Sequence, residues 1–422
     1  MRLRNSDKKT ITLVTSVALA FILLFSVICV IVMISIGNKE EPLDDTKSER
    51  ELIGEMNGVW IASISNIDFP SKPDLTKKEL KAELDLIVEN TAAAGLDTIF
   101  FQVRPSADAL YDSEVFPVSR YLSTDGVLTL DCLEYLIRAA EKKEISVHAW
   151  INPLRASVGG SVEELLADNS AIKDPQWCTK YADGKIYFNC GEPEVRELIA
   201  KGIREIVENY DVSGVVFDDY FYPYPIYETD ENSKRVAAAF ADDDAYNTYG
   251  AGFDDIGDWR RDNVNKLVEL SYKTVKKADK KCLFGVSPFG IWKNGYGGET
   301  GSVTRGSQSY FEIYCDTLAW AKGEYVDYVA PQLYWTDDND AASYQVLTEW
   351  WSEALEGTGT ALLVSHAAYR YDEWESPSGI MKSQVENASG YENYRGSIFY
   401  GYEEIANNKE GISDELKKIY AD

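Results

Sequence analysis

The stretch GVVFDDYFYP, residues 214–223, ends an apolar run on two adjacent acids, Asp218 and Asp219. Neighbouring carboxylates repel each other and resist leaving water, so a pair at the end of a buried strand needs a purpose. The chemistry open to them is proton transfer and nucleophilic attack, with one carboxyl protonating a departing oxygen and the other serving as base or nucleophile. Strand side chains alternate faces, which groups Gly214, Val216 and Asp218 against Val215, Phe217 and Asp219. The bulkier Val215 and Phe217 suit packing against helices, so Asp218 is expected to face inward, with Asp219 beside it aimed at the next loop. A helix N-cap or a loop anchor is the competing structural use for one of the two.

The elements that must position this pair are strands alternating with amphipathic helices. Strand candidates are GVWIASIS from Gly58, DTIFFQVRP from Asp97, SVHAWINP from Ser146, SGVVFDDYF from Ser213, CLFGVSPFG from Cys282, YVAPQLYW from Tyr328, ALLVSHAAY from Ala361 and SIFYGYEE from Ser397. Helical spacing runs from Lys77 to a stop at Gly95, from Leu130, from Glu192 with Pro193 at the helix start, and from Asp258. Eight such units, with strands apolar on both faces, predict an α/β fold: a (β/α)8 TIM barrel spanning residues 54–422. The chain is long for a bare barrel, and the enlarged loops are residues 156–189 and 225–257.

In a parallel barrel the active site lies at the C-terminal ends of the strands. Those ends bring Asp68, Gln102 with Arg104, His148 with Trp150 and Asn152, the Asp218–Asp219 pair with Tyr220, Gln332 with Tyr334 and Trp335, and His366 onto one rim. Acids, amides and aromatics together suit a sugar, which offers hydroxyls at its edge and C–H groups on its faces. Arg104 is expected either to hold a carboxylate or to neutralise the Asp pair. Trp150, Tyr334 and Trp335 form a candidate stacking platform, and Trp292 is expected on an exposed loop with Lys293 and Asn294. His148 is read as a hydrogen-bonded interior histidine rather than a proton shuttle. No phosphate-binding loop, dinucleotide fingerprint or serine nucleophile elbow is present.

The first 36 residues stand apart. Arg2, Arg4, Lys8 and Lys9 (a cytoplasmic tail, residues 1–10) precede an uncharged run, residues 11–36, long enough to cross a bilayer as a helix. The basic flank predicts an uncleaved single-pass membrane anchor with the N-terminus in the cytoplasm, residues 37–53 as a polar linker and the barrel outside the cell. The net charge is −28; four basic side chains and Asp7 give residues 1–36 a charge of +3, so the remainder carries −31. So acidic a chain argues against nucleic acid as a partner. Two histidines in the whole chain argue against a histidine-rich metal centre, a metal-dependent deacetylase included, and no cofactor is expected. Cys178 and Cys190 flank a hairpin with Asp183-Gly184 at its turn and are either bridged across its base or free.

The stretches GVWIASISNIDFP, FQVRPSADALY, INPLRA, GVVFDDYFYPYP, DWRRDNVN, GVSPFGIW and APQLYW occur in this order, and the chain resembles the bacterial glycosyl hydrolase-like 10 family from Gly58 to about Tyr420. One departure is Val216, where similar members often carry a polar residue. The resemblance implies hydrolysis of glycosidic bonds in a cell-wall or surface glycan, with peptidoglycan strands foremost. Asp218 is then the nucleophile or base, while Asp219, Asp68 and Glu403 stay open as the acid. The alternative is a barrel that binds wall glycan without cutting it, as a scaffold or receptor.

Overall fold

The computed structural model describes residues 53–229, 234–295, 300–374 and 377–420. The tail, the anchor and the linker as far as residue 52 lie outside the described residues. Among the described residues no helix is long and apolar enough to cross a membrane.

Eight strands form the predicted closed barrel: β1 Gly58–Ile61, β2 Thr98–Arg104, β3 Ser146–Ile151, β4 Gly214–Phe217, β5 Leu283–Val286, β6 Tyr328–Val329, β7 Ala361–Ala367 and β8 Tyr394–Tyr400. Each pairs in parallel with its sequence neighbours, and β8 closes on β1 through Gly58↔Ile398 and Val59↔Phe399. Eight helices follow the strands in turn: α1 Lys77–Ala93, α2 Cys132–Glu141, α3 Pro193–Asn209, α4 Ile256–Ala278, α5 Thr317–Lys322, α6 Tyr344–Leu355, α7 Ile380–Ser389 and α8 Ile412–Tyr420.

Local chemistry sets the helix limits. Thr76 and Glu79 cap the start of α1 reciprocally, side chain to backbone in both directions. Its buried face is Leu80, Leu84, Ile87, Val88 and Thr91, each large apolar member contributing about 2 kcal/mol. Gly95 ends it at φ 78°, a left-handed conformation that glycine adopts without strain. Pro193 opens α3, where its missing N–H removes no helical hydrogen bond.

Two apolar layers result. Val215 and Phe217 belong to the large layer between strands and helices, whereas Val216 joins Trp60, Phe100, Trp150 and Tyr328 inside the barrel. The alternation expected for β4 is the one observed, and the apolar Val216 is a floor residue beneath the acids. The interior rings fit because small residues face them. A Cβ on Gly214 would lie 2.4 Å from the His148 ring, one on Gly285 2.1 Å from Tyr328, and one on Gly58 2.7 Å from Phe100. His148 is such a ring: Nδ1 shares a hydrogen bond of 2.9 Å with the Tyr328 hydroxyl, and burial pushes its pKa down to about 3.

Both enlarged loops hold extra structure. After β3, Arg155–Ser157, Ile186–Phe188 and Cys178–Lys180 form a small antiparallel sheet with Ile186–Phe188 in the middle. Cys178 pairs across it with Phe188, two residues short of Cys190, and Cys190 Sγ instead reaches the Asn263 carbonyl at 3.4 Å. Both thiols are free and buried. After β4, Tyr227–Thr229 pairs with Arg235–Ala237, followed by the helix Asp243–Tyr249.

Candidate active site

A cavity of about 200 Å³ opens at the C-terminal ends of the strands, lined by Trp60, Gln102, Trp150, Arg155, Asp218, Asp219, Tyr220, Tyr224, Ser287, Gln332, Tyr334 and Tyr400, with Ile64 and Ile67 at its edge. Both acids are 4% exposed. Burial is the largest influence on each and pushes both carboxyls well above the ordinary Asp range near 4.

Beyond burial their surroundings differ. Asp218 Oδ2 accepts hydrogen bonds from Trp150 Nε1 at 2.9 Å and Asn152 Nδ2 at 3.2 Å, and Oδ1 accepts from the Tyr220 N–H at 3.3 Å. The Arg155 guanidinium also favours its charged form. Asp219 has one side-chain donor, the Tyr224 hydroxyl, at 2.5 Å from Oδ2, and the charge of Asp218 drives its pKa up further. Three donors and a cation favour charge on Asp218; a neighbouring negative charge favours the proton on Asp219. Arg155 acts on both acids in the same sense, so the difference lies in the donors and in the charge of the neighbour, which together favour the proton on Asp219 over Asp218.

Arg155 is built into this arrangement from below. Its Nε and Nη2 donate to the Pro105 carbonyl at 2.9 and 2.8 Å, and its backbone N–H donates to Asn152 Oδ1 at 2.9 Å. Its guanidinium lies 4.6 Å from the centre of the Tyr220 ring. Arg155 and Tyr224 were missed by sequence reasoning. The signal for Arg155 lay in INPLRA, three residues after Asn152; Tyr224 lay in the YPYP that continues the Asp motif.

The structure brings Trp150, Tyr220, Gln332 and Tyr334 to the cavity, and Asn152 onto Asp218. Trp150 stands edge-on to Trp60 at 5.1 Å, and Tyr334 stacks on Tyr400 at 6.4 Å. Five expected site residues need correction. Arg104 does not reach the acids: a bulge between Gln102 and Arg104 pairs it with the outward-facing Ile151, and its guanidinium lies buried 3.7 Å from the Phe116 ring centre. Trp292 is buried rather than exposed, between Tyr310 and the parallel Trp350 ring at 5.2 and 5.9 Å. Trp335 packs over Gly290 outside the cavity lining. Asp68 also lies outside that lining; its Oδ2 accepts the Ala62 N–H at 2.7 Å. Burial, with the charges of Glu404 and Glu403, pushes the Asp68 pKa up to about 7. Glu403 is exposed on the short helix Tyr402–Ala406 and does not line the cavity either.

The closed parallel barrel, with its cavity at the C-terminal ends of the strands, has the fold of the glycoside hydrolase-like barrels. The chain belongs to the glycosyl hydrolase-like 10 family, whose model matches residues 55–377. It is 37% identical over 384 residues to glycosyl hydrolase YngK of Bacillus subtilis, covering 88% of this chain and 72% of that protein. It is 32% identical over 375 residues to glycosyl hydrolase DigH of Escherichia coli K12, covering 82% of each. The barrel is also similar to the glycoside hydrolase domain of PgaB (BpsB) from Bordetella bronchiseptica, at TM-score 0.54 and 13% identity over 87% of this chain and 99% of that one. The catalytic domain of a β-amylase from Paenibacillus polymyxa matches at TM-score 0.52 and 10% identity, over 87% and 98%. At these identities the two structural likenesses speak for the fold alone.

Proposed function

We propose that this chain is a membrane-tethered, extracytoplasmic glycoside hydrolase acting on a cell-wall or surface glycan, with peptidoglycan strands foremost. Asp218 is its carboxylate nucleophile or base, and Asp219 is the acid that protonates the leaving oxygen. The observation that carries this reading is the unequal environment of two adjacent buried acids. Donors from Trp150, Asn152 and the Tyr220 backbone converge on Asp218, while Asp219 has one side-chain donor and a charged neighbour. Acid and base roles follow from such a difference. The aromatic walls of the cavity suit the C–H faces of sugars. The relatives named glycosyl hydrolases support bond cleavage over binding alone. The tether rests on the uncharged run of residues 11–36 and its basic flank.

The test is digestion of purified, peptide-free wall glycan with the full chain, followed by mass spectrometry. New reducing ends and shortened strands are expected. Strands that are retained by the protein but stay full-length would make the barrel a glycan receptor instead.

A further inference from the structure

The enlarged loop after β4 contributes a residue to the acid pair that the barrel itself does not supply. Tyr224 stands at the head of that loop, 39% exposed, with its hydroxyl 2.5 Å from Asp219 Oδ2. Its ring is held on two sides, stacked on Tyr220 at 4.9 Å and 14° and edge-on to Phe289 at 5.2 Å. Behind it, the Ile226 N–H donates to the Tyr181 hydroxyl at 3.2 Å, and that hydroxyl donates to the Ala238 carbonyl at 3.3 Å. The hairpin in the loop after β3 thus clamps the base of the loop that carries Tyr224.

We propose that Tyr224 is a positioning residue for proton donation by Asp219: it occupies Oδ2, leaves the proton on Oδ1, and strengthens its hydrogen bond as that proton departs. This rests on the reading of Asp219 as the acid. In the step concerned, the proton passes from Asp219 Oδ1 to the glycosidic oxygen. The C1–O bond breaks and its electron pair goes to that oxygen, while Asp218, or a water that gives its proton to Asp218, bonds to C1; Asp219 is left as a carboxylate. A hydrogen bond from a neutral hydroxyl to a neutral carboxyl thereby becomes charge-assisted, about twice as strong. An interaction that strengthens along the reaction path lowers the barrier, whereas one made equally well beforehand would not.

The groups facing Asp219 are Asp218 at the end of β4, Arg155 from the loop after β3, Tyr220 and Tyr224 from the loop after β4, Tyr334 after β6, and Cys315 just ahead of α5. Of these, Tyr224 and Arg155 hold the Asp219 pKa down and Asp218 holds it up. Removing the Tyr224 hydroxyl therefore lets Asp219 keep its proton to higher pH.

Tyr224→Phe retains both ring contacts and deletes only the hydroxyl. On peptide-free peptidoglycan strands kcat is expected to fall about tenfold with KM unchanged, a fraction of what general acid catalysis supplies. On 4-nitrophenyl chitobioside, whose phenolate leaves without a proton, the loss is expected to stay below about twofold, because the acid is then idle. The alkaline limb of the pH profile is expected to move to higher pH. Equal losses on the two substrates, or an unmoved limb, would overturn the proposal. A readout free of turnover is the 13C titration of the Asp219 carboxyl, assigned with Asp219→Asn. Its midpoint is expected to rise in Tyr224→Phe, and an unmoved midpoint overturns the proposal whatever the activity. A raised midpoint in a protein that cleaves neither substrate upholds the hydrogen bond and removes the hydrolase reading instead.

Discussion

His148 on the barrel floor and the Asp218–Asp219 pair at its mouth are both buried titratable groups, at 0% and 4% exposure. Burial acts on both against the charged form, pushing the histidine down to about 3 and the acids up. The outcomes differ because of what else surrounds them. His148 has one hydrogen bond, to Tyr328, and no charge among the influences on its pKa, so it stays neutral and inert. The acids are met by Trp150, Asn152, the Tyr220 N–H, Arg155 and Tyr224, beside an open cavity. Desolvation alone makes a silent residue. Desolvation with directed donors, a neighbouring charge and room for a ligand is the setting of the proton-handling pair proposed above.

The largest effect that would break this contrast is at Asp218. Asp218→Asn keeps the shape and removes the charge, and the rate on peptide-free wall glycan is expected to drop about a thousandfold or more. A variant that cleaves at the wild-type rate would reduce the pair to scaffolding. Arg155→Gln is next, with an expected fall in rate of about tenfold, equivalent to about 1.4 kcal/mol of barrier. Arg155 holds the Asp218 pKa down, so removing it raises that pKa. As the proposed nucleophile or base, Asp218 must be ionised to act, and the acid limb of the pH profile should therefore move upward; a limb that stays in place would show that Arg155 only packs.

A smaller effect appears in stability. Both acids have folded pKa values above the unfolded ones, so the folded protein keeps protons that the unfolded chain releases as pH rises from about 4. Their contribution to stability is thus most favourable at low pH and declines as pH climbs through the raised values. Asp219→Asn escapes that decline, and its Tm should exceed wild type by roughly 2 °C or more at pH 8 and by less at pH 5. Calorimetry at the two pH values decides; a difference that does not depend on pH would contradict the raised pKa. The smallest effect is on the floor. His148→Gln should leave both limbs of the rate profile where they are, and movement of either limb would make the floor part of the reactive unit.

The eight strands and the inward face of Asp218 were legible because buried parallel strands read as apolar runs, and alternation along β4 follows from its own residues. What could not be read depends on partners distant in sequence. Strict alternation from Phe100 and Gln102 points Arg104 inward, but pairing with β3 introduces a bulge that turns it outward. Trp292 is covered by Trp350 of α6, a neighbour that its own loop does not reveal. Arg155 lines the cavity beside the acids because the Pro105 carbonyl holds its side chain. Tyr224 reaches Asp219 from a loop whose base is clamped by the other insertion. A rim of loops is assembled by tertiary contacts, and single residues there carry less local signal than strands do.

The empty spaces left by Gly214, Gly285 and Gly58 opposite His148, Tyr328 and Phe100 have a bearing on how such a barrel changes over time. Ring and gap form one unit: a methyl group added to the glycine collides with the ring, and a ring shortened on its own leaves a void. Each half is locked by the other, so neither drifts alone, and in a set of related chains the two positions of each couple should be inherited together. Among the described residues, the loop glycines form no such couples with the floor. The lengths of the loops can therefore change while the plug of rings beneath them stays as it is, with Trp150, which also donates to Asp218, as the link between floor and rim.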